Sequence, residues 1–150
     1  MRIVALLMLL ILPAACRAES AFGIWRMNAA RSTFTGDIPP KSFTVQIEPH
    51  AKGEVFTSER IEKDGRTTTA STILYLDGKS RDFQDPGCSG TQSSRALDSH
   101  TVEIQRECKD AVRTWIVRQL SAQPKDLILD IVEQQADGRR FEQRLVMEKQ

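Results

Sequence analysis

Arg106 is the residue whose position most directly implies chemistry. Along Thr101–Cys108 a strand's two-residue period puts it on the same face as Val102, Ile104 and Cys108, while Glu103, Gln105 and Glu107 point the other way. If the apolar face looks into a core, a guanidinium points inward and calls for a carboxylate or another anion. Its neighbours depend on the turn after Cys108. A two-residue loop at Lys109-Asp110 sets Arg106 opposite Arg113 and Ile104 opposite Trp115. A three-residue loop sets Arg106 opposite Thr114 and brings Arg118 to the same face. The rival reading is an arginine at the rim, reaching solvent or pairing with Glu107 or Asp110. The candidate ligand contacts are therefore Arg106, Trp115 and Arg113, and the implied partner is a small hydrophobic or anionic amphipathic molecule.

Other chemistry finds no support in the spacing. His50 and His100 both flank turns, and neither has a histidine or cysteine at metal-ligand spacing. Asp77, Asp82 and Asp85 lack the alternate-position ligands and closing glutamate of a calcium loop. Ser89, Ser93, Ser94 and Ser99 have no base supplied locally, and no nucleophile elbow, phosphate loop or H-E-x-x-H motif occurs. Catalytic and metal residues are thus none, and no cofactor is implied. An enzyme whose residues assemble only in space stays open as a third function class.

The compartment is legible at the start of the chain. Met1-Arg2, the ten apolar residues Ile3–Leu12 and Pro13-Ala14-Ala15-Cys16-Arg17-Ala18 have the layout of a secretory signal peptide. The apolar run is too short to span a bilayer. Cleavage before Glu19 makes 1–18 the leader and 19–150 one domain; the alternative is a lipoprotein acylated at Cys16. Of the 21 basic residues, Arg2 and Arg17 leave with the leader, so 19 face 20 acidic ones. That balance offers no field to attract nucleic acid, and no later segment approaches transmembrane length. Cys88 and Cys108 are then the remaining cysteines, and in an oxidising compartment an even count predicts a disulfide. The expected location is periplasmic or secreted.

The elements that must position these residues are strands. Ser42–Glu48 alternates, with Phe43, Val45 and Ile47 on one face. Further β-rich runs are Phe22–Met27, Glu54–Glu62, Thr67–Leu76, Lys79–Gln84, Thr91–Leu97, Thr101–Cys108, Val112–Leu120, Asp126–Glu133 and Arg139–Glu148. Asn28–Lys41 reads as a connecting loop with a helical turn at Ala29–Ser32. Lys63-Asp64-Gly65, Leu76-Asp77-Gly78 and Ala136-Asp137-Gly138 read as three-residue hairpin loops with glycine in the left-handed position. Counting out from the last pairs Glu133 with Phe141, Ile131 with Gln143, Leu129 with Leu145 and Leu127 with Met147. Lys109-Asp110-Ala111 departs from the pattern, with alanine in the glycine position. Successive hairpins imply an all-β, up-and-down antiparallel barrel of eight to ten strands, with a two-sheet sandwich as runner-up.

Gly23-Ile24-Trp25 resembles the G-x-W placement of lipocalins, in which the tryptophan closes the barrel bottom and an arginine near the last strand packs on it. Arg144 and Arg140 are the candidates for that arginine. The longer stretch from Gly23 to Phe34, Gly-Ile-Trp-Arg-Met-Asn-Ala-Ala-Arg-Ser-Thr-Phe, looks like the opening of a group of uncharacterised small exported bacterial proteins of lipocalin-like β-barrel fold. The likeness runs on through Pro40-Lys41-Ser42 and the x-Asp-Gly turns. It implies a barrel with a central cavity and gives Gly23 and Trp25 structural roles. A lipocalin-like protein binding a small apolar or amphipathic ligand is the leading expectation. A filled barrel acting as a structural or interaction module of the cell envelope is the alternative.

Overall fold

The computed structural model describes residues 20–36, 38–122 and 125–150. The leader and Cys16 lie outside the described residues. Among the described residues eleven strands form one antiparallel sheet: β1 (Gly23–Met27), β2 (Thr33–Thr35), β3 (Ser42–His50), β4 (Gly53–Ile61), β5 (Thr67–Leu74), β6 (Arg81–Asp85), β7 (Cys88–Ala96), β8 (Thr101–Cys108), β9 (Arg113–Leu120), β10 (Asp126–Gln134) and β11 (Arg140–Lys149). The order is β5-β4-β3-β1-β11-β10-β9-β8-β7-β6, and β1 closes the meander by pairing with both β3 and β11. The barrel expected from the hairpin pattern is therefore observed.

Two of the three Asp-Gly turns are hairpin loops. Gly65 and Gly138 take φ of 87° and 88°, and Glu62 N donates to Arg66 O at 2.8 Å as Gln135 N does to Arg139 O. The β10–β11 register matches the count from the turn, from Leu127 opposite Met147 to Glu133 opposite Phe141. The third turn does something else. β5 and β6 are the two edges of the sheet and do not pair, so Leu76-Asp77-Gly78 spans the seam between them. Gly78 N donates to Ser94 O at 2.8 Å, Leu76 N to Ser94 Oγ at 3.2 Å, and Asp77 bridges Arg95. Farther along, Gln92 Nε2 reaches Thr72 Oγ1 at 3.0 Å. Side chains and one turn, rather than a backbone ladder, make the barrel nearly closed.

The stretch read as a loop after Met27 contains β2, which pairs with β11 beyond the end of β1. Residues 29–31 form a turn instead of a helix. Ser32 Oγ takes a hydrogen bond from Val146 N at 3.0 Å, and Arg31 holds Asp126 through both terminal nitrogens at 3.1 and 2.5 Å. The turn is a clasp that lets one strand step along β11.

The core fills one end of the barrel. Trp25, Val45, Ile47, Leu74, Leu127, Leu145 and Met147 are all buried, each an inward position of its strand. Such side chains contribute about 1.5–3 kcal/mol apiece on leaving water, the indole more. Trp25 Nε1 donates to Ala21 O at 2.8 Å. The cation over its ring is Lys149, Nζ 5.5 Å from the centroid. Arg144 and Arg140 face outward and pair with Asp130 and Glu142 instead. A side chain at Gly23 would meet Lys149 Cε at 3.0 Å, so the glycine of G-x-W clears the path by which that lysine crosses the tryptophan.

Candidate functional site

The other end of the barrel is open. The same strands that pack the closed end leave a cavity of about 450 Å³ where they reach the mouth. β3 contributes Ile47 to the core and Phe43 to the cavity; β10 contributes Leu127 to the core and Ile131 and Glu133 to the cavity. Phe43, Phe56, Ile116, Leu129 and Ile131 give it apolar walls. Ser58, Arg60, Asp85, Arg106, Asp110 and Glu133 ring it with polar groups.

The turn after Cys108 decides who stands there. Cys108 N donates to Val112 O at 2.8 Å, and Ala111 takes φ 65°, so Lys109-Asp110-Ala111 is a three-residue loop. Arg106 therefore lies opposite Thr114, Ile104 opposite Ile116 and Val102 opposite Arg118. Of the three sequence candidates, Arg106 alone turns its side chain into the barrel. Arg113 and Trp115 are on the outer face, where Arg113 is exposed and paired with Glu107 at 3.1 Å. The correction has a simple cause: one extra loop residue turns every side chain of β9 to the opposite face.

Arg106 is largely sequestered, with 17% of its side chain exposed. Its Nε donates to Gln92 Oε1 at 2.9 Å, and the guanidinium carbon sits 4.5 Å from the Phe83 ring centroid. Asp85 Oδ2 is 3.8 Å from Nη1, an attraction without a hydrogen bond. Among the described residues no hydrogen bond reaches the two terminal nitrogens. Burial pulls the guanidinium pKa below its ordinary value, and the Asp85 charge opposes that. The outcome is a desolvated cation with donors to spare.

Arg118, the inward arginine of β9, is sealed below the cavity. It is 4% exposed, its Nη1 pairs with the buried Glu54 of β4, and its Nε has no partner. β4 and β9 lie well apart in the sheet order, so this ion pair crosses the barrel interior. Sequence reasoning missed Glu54 because its strand alternates Glu54, Phe56, Ser58, Arg60 inward, a mixed face that reads as solvent-facing.

Cys88 and Cys108 form the expected disulfide, with Cα atoms 5.3 Å apart, and both line the mouth. The three loop carboxylates diverge. Asp77 takes both terminal nitrogens of Arg81 at 2.8 and 2.7 Å, Asp82 is exposed, and Asp85 turns inward. Ser99 does have a base beside it, since its Oγ lies 2.8 Å from His100 Nδ1. Asp98 accepts the His100 backbone N–H at 2.7 Å, so it orients the chain rather than the imidazole.

No protein-family model and no curated protein matches the chain. Solved structures do. The zebrafish ileal bile acid-binding protein complexed with cholic acid superposes with a TM-score of 0.51 at 14% identity, over 86% of this chain and 98% of that one. The Schistosoma mansoni fatty acid binding protein in complex with arachidonic acid gives 0.51 at 9% identity, over 85% and 96%. At such identities the likeness concerns architecture: the chain is a nearly closed, lipocalin-like antiparallel β-barrel of the kind those two proteins share.

Proposed function

We propose that this is an exported binding protein, not an enzyme, which takes a small amphipathic molecule into the open half of its barrel. The observation that carries the reading is the one-ended cavity of about 450 Å³ with Arg106 in its wall. Ligand pockets run from roughly 300 to 1,000 Å³ and set placed polar groups among apolar walls. An apolar tail would lie against Phe43, Phe56, Ile116 and Ile131. An anionic head would take the donors of Arg106 that the protein leaves free, a charge-assisted contact in a partly desolvated site. The cholic acid and arachidonic acid named with the two similar structures are acids with large apolar bodies, which supports that ligand class. A barrel filled throughout, the envelope-module alternative, is disfavoured by the size of the opening.

A dansylated undecanoic acid and its methyl ester test this. The acid is expected to bind, and Arg106→Ala to weaken it by about tenfold or more while the ester changes little. Failure of both probes to bind, or equal losses for acid and ester, would sink the reading.

Export rests on the leader and on the disulfide, which persists in oxidising compartments. Mass spectrometry of the protein from fractionated host cells is expected to find it outside the cytosol, with Glu19 at the N-terminus. A chain starting at lipidated Cys16 would support the tethered alternative, and an intact Met1 start would overturn export.

A further inference from the structure

The outer face of β7, β8 and β9 holds a second cavity, of about 390 Å³. Two adjacent cross-strand rows build it. Ser93 lies opposite Gln105 and Gln105 opposite Trp115; next to them Thr91 lies opposite Glu107 and Glu107 opposite Arg113. All six side chains point away from the lumen; Ser80 and Arg106 complete the lining, Arg106 from the far side of the sheet, its guanidinium turned inward onto Gln92 and Phe83.

Its chemistry narrows the ligand. Trp115 is half-buried, presenting an indole at the end of a polar row. The acid and base of the second row neutralise each other, Glu107 Oε1 to Arg113 Nη2 at 3.1 Å, so no net charge faces an incoming molecule. What remains are hydroxyls at Thr91 and Ser93 and the amide of Gln105. Gln105 Nε2 is committed to Glu103 Oε1 at 2.9 Å, which leaves its carbonyl oxygen to accept. A purely apolar ligand would find only the indole, and an ion would find no unpaired counter-charge. A neutral ring with one C–H face and a rim of hydroxyls satisfies both parts: the face covers the indole, and the rim exchanges hydrogen bonds with Thr91, Ser93, Gln105 and the charged pair. We propose that this outer cavity is a saccharide-binding site with Trp115 as its stacking platform.

Iodide quenching reads the site directly, because Trp25 is fully buried and accessible tryptophan emission therefore comes from Trp115. With the full mature chain and cellotriose, chitotriose or maltotriose at millimolar concentration, at least one sugar is expected to protect the emission and to show saturation-transfer NMR contacts. Trp115→Ala should weaken the NMR-detected affinity by about tenfold, the scale of one aromatic contact. Gln105→Ala changes an exposed side chain that no core packing needs, and should weaken it as well. Absence of protection by all three sugars, or binding unchanged in both variants, overturns the proposal. Arg106 borders both cavities, so the two readings are told apart by the variants: fatty-acid binding unchanged in Trp115→Ala and Gln105→Ala assigns any loss of sugar binding to the outer cavity.

Discussion

Ala111 holds a backbone conformation that costs an L-residue about 1–2 kcal/mol, and it does so because the β8–β9 loop needs three residues to keep Arg106 and Ile116 inside. Ala111→Gly is expected to stabilise the protein by roughly 0.5–1 kcal/mol, net of the flexibility glycine adds to the unfolded chain. Urea denaturation measures this, and a loss of stability would mean that the loop is not strained as described. Arg106 itself was legible from the sequence, since period-two alternation alone assigns it to the apolar face. Trp115 and Arg113 were not, because their face depends on a loop length that Lys109-Asp110-Ala111 leaves ambiguous. The tryptophan's cation shows the same limit: a resemblance suggested an arginine, while strand pairing delivered Lys149 opposite Trp25.

Among the elements, the hairpins were the most readable because each carries its own turn chemistry. In the β4–β5 and β10–β11 loops an aspartate accepts the backbone N–H two residues on, from Arg66 and Arg139, and then the guanidinium of the same residue. Both carboxyls are held below the ordinary aspartate value of 3.8, by the backbone N–H first and the arginine side chain second. Asp77 is likewise held low, by the Arg81 side chain first. Carboxyls that resist protonation when folded add stability above their unfolded pKa, and that contribution is lost as the pH falls through and below it. The melting temperature should therefore drop between pH 5 and pH 3, a window spanning that value. The double variant Asp64→Asn/Asp137→Asn should show a smaller drop in calorimetry; an undiminished one would remove these turns from the account. The Leu76-Asp77-Gly78 turn could not be told from the other two by composition. Only its place at the sheet's edges makes it a seam closure instead of a hairpin. β2 was invisible for a related reason: three residues carry too little periodicity, and its pairing comes from the clasp at Asn28–Ser32.

At the scale of the whole molecule, the barrel is divided into a packed end and an open one, with the Arg118–Glu54 pair crossing the interior beneath the opening. A buried pair of this kind is costly to break and often neutral to replace. Arg118→Met alone should destabilise the fold by about 3–5 kcal/mol, since Glu54 would be left buried and uncompensated. Adding Glu54→Leu should recover most of that loss, and equal destabilisation in the single and double variants would refute the pairing argument. Alternation and turn residues determined by themselves a chain of antiparallel hairpins and the best hairpin register, and with the cysteine count they pointed to a barrel and a disulfide, because each depends on neighbours close in the chain or on a period the chain carries. The tertiary structure alone decided where the barrel closes, that it is filled at one end and hollow at the other, and which of the candidate residues face the hollow. Those outcomes depend on distant strands meeting around a circle, β1 with β11 and β4 across from β9, and no local pattern records which side chains meet there.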